Sequence, residues 1–183
     1  MTIKNVKEYE EQDFGEYLKM TAWSYSSIKN AGKPDFVATE KMRLGTLVHN
    51  YILEPSKYTF EKHDIVKPIA IEIMKRLGPL YPFLRKELGV TADFIHEGLC
   101  LNYKGRVDLC IPNRLIIDIK VTENLNVSYF GYDYQLSGYA IALKCPLALI
   151  VAIHPKTKKV EIVNININKI FWEQEVLKKG KVI

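Results

Sequence analysis

The sequence predicts a mixed α/β domain, a central sheet flanked by helices, and three observations carry that prediction. Residues 36–54, "FVATEKMRLGTLVHNYILE", place apolar side chains at Val37, Met42, Leu44, Leu47, Val48, Tyr51 and Ile52. That is the spacing of an amphipathic helix, and Pro55 ends it. Residues 94–103, 105–111 and 114–121 read as three short strands, with "YKG" and "IPN" supplying the turns between them. Residues 147–154 form a continuous apolar run, the pattern of a strand buried on both faces.

The remaining elements fill in around these. Residues 1–20 are acidic and are expected to be a loosely attached N-terminal segment. "SYSSIKNAGKPDF", residues 24–36, reads as a short helix followed by a turn at Gly32 and Pro34. Residues 69–88 read as one or two helices interrupted near Gly78 and Pro79. Helical spacing returns over 127–144; "HPKTKK" then makes a turn into a strand over 160–167, and 168–179 closes the chain as a helix. No repeat or low-complexity linker divides the 183 residues, so a single domain spanning 1–183 is expected.

Composition narrows the class without naming a function. The hydrophobic fraction of 48% is that of a globular protein. The net charge of +5, from 26 basic and 21 acidic residues, permits a nucleic-acid partner without requiring one. Cys100, Cys110 and Cys145 lie in apolar surroundings without CxxC spacing. They read as buried thiols of a reducing compartment, neither a disulfide frame nor a zinc or iron–sulfur site. The charged opening residues do not form a signal peptide, and the apolar run "CPLALIVAI" is too short to span a membrane. A cytoplasmic protein is expected.

The segment "KGRVDLCIPNRLIIDIK", residues 104–120, sets acidic residues inside strand-like sequence. Alternation puts Asp118 and Lys120 on one face of their strand, with Arg106 and Asp108 likewise sharing a face of the strand before. The "IPN" turn pairs these strands antiparallel, so Asp108 and Asp118 can converge. Two close carboxylates repel when both are ionised, and a divalent cation removes the repulsion. Oxygen donors with few histidines suit Mg²⁺ or Mn²⁺ better than zinc. An Asp and a Lys two apart on a strand are more often a solvated face or a surface ion pair. The pair gains meaning only from its surroundings.

Those surroundings form a pattern. "GRVD" followed after nine residues by "DIK" resembles the PD-(D/E)XK nucleases, with Asp108, Asp118 and Lys120 on the motif positions. The chain is most similar to the RecB-like and RecE/lambda-type phage exonucleases of that superfamily. "GTLVH", Gly45 to His49, resembles the upstream Gly-xxx-His helix motif, and "QLSGY", Gln135 to Tyr139, resembles the Gln-xxx-Tyr helix after the lysine. "SYSSIKN" followed by "LGTLVHNYILEP" is similar to the opening of RecE-type enzymes, and Glu97, eleven residues before Asp108, matches an acidic position of the lambda-type ones. These matches cover residues 24–140. Val107 stands where many superfamily members have Pro, and the second acid is Asp118 where many have Glu. The four-cysteine cluster of related CRISPR-adaptation nucleases is absent, so no iron–sulfur cluster is implied.

The resemblance implies a restriction-endonuclease-like core and a set of roles. Asp108, Asp118 and the backbone carbonyl of Ile119 would hold the cation, with His49 and Glu97 as further ligands. Lys120 would orient or activate a water. His49 and Gly45 share a helical face, as do Gln135 and Tyr139. Gln135 would contact the substrate backbone or fix Lys120, and Tyr139 would do the same or pack. Arg106 would contact a phosphate, and Ser24 and Arg43 would form a 5′-phosphate pocket. Each has a plainer reading: a core histidine, a strand carboxylate, a surface ion pair. Tyr129, Phe130, Tyr132 and Tyr134 read as core and rim.

The function expected is that of a Mg²⁺-dependent deoxyribonuclease, with Mn²⁺ able to substitute. A 5′-to-3′ exonuclease on double-stranded DNA ends in a phage or prophage recombination system is the leading form, with a homo-oligomer and a single-strand annealing protein as expected partners. A structure-specific or nicking endonuclease on the same fold stands as one alternative. A non-catalytic DNA-binding or inhibitory module stands as the other.

Overall fold

The computed structural model describes residues 1–10, 14–30, 39–55, 65–127 and 131–182. In chain order these form β1 (Thr2–Tyr9), α1 (Phe14–Lys19), α2 (Tyr25–Asn30), α3 (Glu40–Leu53), α4 (Val66–Leu77), a 3₁₀ turn (Gly78–Phe83), β2 (Arg85–His96), β3 (Leu99–Ile111), β4 (Leu115–Val121), α5 (Tyr132–Ala142), β5 (Leu147–Ile153), β6 (Val160–Asn164), α6 (Lys169–Lys179) and β7 (Lys181–Val182). The strands make one mixed sheet in the order β1-β2-β3-β4-β5-β6, with β7 on β3. All neighbours are antiparallel except β4 and β5, which run parallel and are joined through α5.

Helices cover both faces of the sheet, and strand alternation decides which side chain goes where. In β5, Ala148, Ile150 and Ala152 pack toward α5 and α6, while Leu149, Val151 and Ile153 pack toward α3 and α4. This explains the unbroken apolar run, because both faces of β5 are inside. On the α6 side Trp172 is fully buried, edge-on to Phe94 and to Tyr103, whose rings stack at 4.6 Å. On the other side Val48, Ile52, Ile69 and Ile73 bury one stripe each of α3 and α4 against Ile117 and Ile119 of β4.

Three expectations give way here. Residues 1–9 are not loose: β1 is an edge strand on β2, held by backbone pairing although most of its side chains are exposed. Its register slips between Lys4 and Lys7, where Asn5 takes a φ of 51°. The helix expected through residue 88 stops at Leu77, since Gly78, Pro79 and Pro82 allow only a 3₁₀ turn, and β2 begins at Arg85. Lys104–Gly105 is not a turn either, because β3 runs straight through it and the β2–β3 turn falls at Glu97–Gly98, both at positive φ. Gly105 serves another purpose: a Cβ there would collide with the Tyr139 ring. The turn expected at Gly32 and Pro34 lies outside the described residues, as do Tyr129 and Phe130.

Gly138 plays the matching part on α5. A Cβ at this position would stand 2.6 Å from Trp172 Cζ2 and 2.8 Å from the Tyr103 hydroxyl, both on fully buried rings. Gly138→Ala should therefore overpack the core by about 1–3 kcal/mol and lower the melting midpoint by roughly 3–10 °C. Differential scanning calorimetry reads the shift, and an unchanged midpoint would contradict this packing.

Candidate functional site

The site forms where two strands part. β3 pairs with β4 at Ile111↔Leu115, Cys110↔Ile116 and Leu109↔Ile117, and the ladder stops one step short of Asp108 and Asp118. Further down the same edge of β3, Trp23 bridges Tyr103 and β7 pairs with Leu99 and Cys100. The stretch around Asp108 thus has no strand on its β4 side among the described residues. The Asp108 carboxylate fills part of the gap, its Oδ2 accepting the Ile119 N–H at 2.8 Å. Within a strand, one residue's N–H and C=O point to the same neighbour, so the Ile119 carbonyl also looks into the gap.

The helix α3 brings a third group. Its buried stripe of Val48 and Ile52 fixes its rotation against β4, and Gly45 lies over Val121 with room for a Cβ at an ordinary contact distance of 4.0 Å. One turn on from Gly45, His49 Nε2 stands 2.6 Å from Asp108 Oδ2. On the other strand, Lys120 Nζ stands 2.6 Å from Asp118 Oδ2 and 4.7 Å from the centre of the Tyr132 ring. A cleft of about 830 Å³ opens over this cluster, with Lys41, Thr46, Asn50, Glu87 and Asn124 among its walls.

The charges are strongly coupled. Burial pushes the Asp118 carboxyl up to about 6, against the pull of the Lys120 ammonium and with the push of Asp108. Burial would raise Asp108 too, but the His49 imidazole, Lys120 and the Ile119 N–H together hold it below the usual carboxylate range. Burial would lower His49, and the Asp108 charge and hydrogen bond outweigh that and raise it. Lys120 behaves alike: desolvation lowers its pKa, and Asp118 and Asp108 more than restore it.

Asp118 reveals what the cluster lacks. Its Oδ2 is buried and accepts no hydrogen bond, because the contact with Lys120 is close in distance but not aligned as one. An ionised buried oxygen without a donor is costly. Among the described residues no three His, Cys, Asp or Glu side chains form a complete cation cage. The donors that face the gap are two carboxylates, one imidazole and one backbone carbonyl, which is a largely hard-oxygen set. That set fits a Mg²⁺- or Mn²⁺-like ion, with Asp108, Asp118 and the Ile119 carbonyl as the residues that would hold it and His49 beside them.

The other expected residues divide into those near and those far. Tyr139 packs on Gly105 and is raised in pKa by burial first and by Asp118 next, so it stays neutral. Gln135 Nε2 donates to the Tyr139 hydroxyl at 2.7 Å, so Gln135 bears on Tyr139 and not on Lys120. Arg106 lines the cleft and pairs with Glu87. Glu97 does not join the site: it sits in the β2–β3 turn at a φ of 50°, its side chain 70% exposed. That turn is roughly 30 Å down β3 from Asp108. Ser24 lies outside the cleft lining, where its hydroxyl caps α2 through Ser27. Arg43 is exposed on α3 about a third of a turn away from His49 and also lies outside the lining.

Sequence reasoning missed Glu87, which lines the cleft from β2 and pairs with Arg106, with only 15% of its side chain exposed. The stretch was read as helix, and no strand register can be assigned through a misread element. Tyr132 and Lys41 were missed as cleft residues as well. The spacing of Lys41 and His49, eight residues on one helix, carried that signal for Lys41.

Removing the charge at Asp118 should stabilise the protein while spoiling the cation site. A carboxyl whose folded pKa lies above its unfolded value costs stability as pH rises from about 4 to about 6, and the full cost stands above that. Asp118→Asn should thus raise stability near neutral pH by about 1–3 kcal/mol, with little effect below pH about 4. Denaturant titrations at the two pH values test this, and a destabilised variant at neutral pH would contradict it.

No protein-family model matches the chain, and no curated protein matches it at a significant level. Solved structures do. One is a crystal structure from Eubacterium rectale named "Putative exonuclease", 20% identical, with a TM-score of 0.53 over 84% of this chain and 68% of that one. Another, SSO0001, is 15% identical over 79% of this chain and 76% of that one, and its TM-score of 0.47 is too low to carry an argument. The first likeness is one of fold: a central mixed sheet flanked by helices, in the arrangement of a nuclease-like domain.

Proposed function

We propose that this chain is a divalent-cation-dependent DNA nuclease. One observation carries the reading: at the parting of β3 and β4, the half-buried Asp108 and the buried Asp118 lie together beside the Ile119 backbone, His49 and Lys120. His49 and Lys120 offset the two charges, but the buried Asp118 Oδ2 is left without a hydrogen bond, a deficit that a positively charged ligand would make good. The fold likeness to a protein named as an exonuclease supports the reading, as does the order of the Gly-xxx-His, Asp, Asp-x-Lys and Gln-xxx-Tyr motifs along the chain.

The chemistry is phosphodiester hydrolysis, in which a water oxygen bonds to phosphorus and a phosphorus–oxygen ester bond breaks. A bound cation would supply charge neutralisation for the scissile phosphate. The chain's own groups do the rest. Lys120 keeps its proton, since Asp118 and Asp108 outweigh its burial, so it acts as a hydrogen-bond donor to the attacking water or the phosphate. Asp108 is fixed from two sides by His49 and the Ile119 N–H. Tyr139, tethered by Gln135, closes the apolar side of the gap and limits bulk water. The Tyr132 ring holds the Lys120 stem and head in place.

Within this reading, the leading form is a Mg²⁺-dependent 5′-to-3′ exonuclease on double-stranded DNA ends, of the phage recombination type, acting as a homo-oligomer with a single-strand annealing protein. Among the described residues no helix is long and apolar enough to cross a membrane. Arg43 lies outside the cleft lining, so end recognition is not assigned to it.

Digestion of end-labelled linear duplex and of covalently closed circles, with and without Mg²⁺, tests the function. The linear form should be degraded only with the cation, and closed circles spared. Rapid cutting of closed circles would favour the endonuclease form, and no cutting of either would reject the nuclease. Asp108→Ala should abolish cleavage, and Lys120→Ala should lower the single-turnover rate by about 10²–10³-fold. Because cation binding needs Asp118 ionised and His49 unprotonated, apparent cation affinity should rise as pH climbs from about 6, where Asp118 ionises, through the range above the ordinary imidazole value, where His49 loses its proton. A flat profile across that range would place the cation elsewhere.

A further inference from the structure

The parallel strands β4 and β5 end level, with Val121 paired to Ile153. Ligand clefts in such sheets lie beyond the carboxyl ends of the parallel strands, where the connections leave the sheet. Beyond β4, Thr122, Glu123 and Asn124 line the cleft. Beyond β5, residues 154–159 make the turn into β6. The two connections are tied, since the Thr122 N–H donates to the Ile153 carbonyl at 2.9 Å. Lys41 reaches from α3 to Glu123 at 2.6 Å, so a cation on α3 stands at the cleft wall beside this turn.

The turn is internally braced. His154 Nδ1 accepts the N–H groups of Lys156 at 3.2 Å and Thr157 at 3.1 Å. The Lys158 N–H donates to the His154 carbonyl at 2.8 Å, and Lys158 takes a φ of 58°. Lys156 and Lys158 are held exposed by this geometry. Lys159 is neutralised by Glu161 at 2.8 Å and the Lys158 charge acts on Glu72 of α4, whereas Lys156 enters no ion pair among the described residues. Lys41, then Lys156 and His154, pull the Glu123 carboxyl below its ordinary range, which places the turn within electrostatic reach of the cleft wall.

Flexible lysines on a braced turn suit phosphate oxygens, which position a duplex without reading its bases. We propose that Lys41 and Lys156 form a phosphate-binding rim that seats the backbone of duplex DNA along the carboxyl ends of β4 and β5 and leads it to Asp108 and Asp118. This rests on the nuclease reading and adds the path by which substrate arrives. A phosphate would replace Glu123 as the partner of Lys41. The other basic surface, around Trp23, Lys179 and Lys181, is a poorer candidate. It lies at the Cys100 end of β3, roughly 25 Å from Asp108, and Lys179 is already paired with the buried Glu175.

The test is the salt dependence of binding to a blunt DNA duplex, measured by fluorescence anisotropy in Ca²⁺ for the full chain. Cleavage by the wild-type protein is assayed in parallel. Lys41→Ala combined with Lys156→Ala should make the log K against log salt slope shallower by roughly 0.9 for each lysine removed. Lys169→Ala combined with Lys181→Ala, two exposed lysines away from the cleft, should keep the wild-type slope. If wild type cleaves linear duplex but the rim variant keeps the full slope, or the control variant loses slope instead, the rim is wrong and the nuclease reading stands. If wild type neither binds nor cleaves duplex, both fall.

Discussion

The parting of β3 from β4 just beyond Leu109 and Ile117 governs the rest of the molecule. A closed ladder would pair the backbone of Asp108 with that of Asp118 and leave no cavity. The open one instead lets the Asp108 carboxylate take the Ile119 N–H in place of a strand, which satisfies one backbone donor and exposes the Ile119 carbonyl to the same gap. Everything nearby serves to hold that gap open. Gly105 leaves room for Tyr139, the buried stripe of α3 delivers His49, and the parallel β4–β5 pair supplies a rigid floor.

Electrostatics give the gap its purpose. Asp108 is well supported, with an imidazole, an ammonium and a backbone N–H around it. Asp118 is not, because its buried oxygen has a nearby charge but no donated hydrogen bond, and its carboxyl is pushed up to about 6. A protein optimised only for stability would place an amide or an apolar group there. Keeping a poorly satisfied carboxylate beside a well satisfied one is the pattern of a binding site, where the deficit is made good by the ligand.

Much of this was legible in the sequence, for reasons that differ by residue. Asp118 and Lys120 could be placed because period-two alternation in "LIIDIK" is unambiguous, and Gly45 and His49 because i and i+4 share a helical face. Helices with strong apolar stripes, such as α3, were read close to their observed bounds. What escaped depended on pairing. The edge strand β1 carries its apolar residues Ile3, Val6 and Tyr9 three apart among polar ones, so it shows no period-two alternation to read. β2 begins within a stretch that looks helical, which hid Glu87 and left Glu97 as the apparent acid. Gly105 looked like a turn because the Tyr139 ring that requires it lies 34 residues away in sequence and arrives only through the tertiary fold.

Calorimetric titration of the wild-type protein with Mn²⁺ near neutral pH, repeated on Asp118→Asn, measures the central claim most directly. Saturable binding to the wild type, accompanied by proton release and lost in the variant, is the result this account predicts. Binding of equal affinity in both proteins, or in neither, would contradict the assignment of Asp108, Asp118 and the Ile119 carbonyl as the cation site.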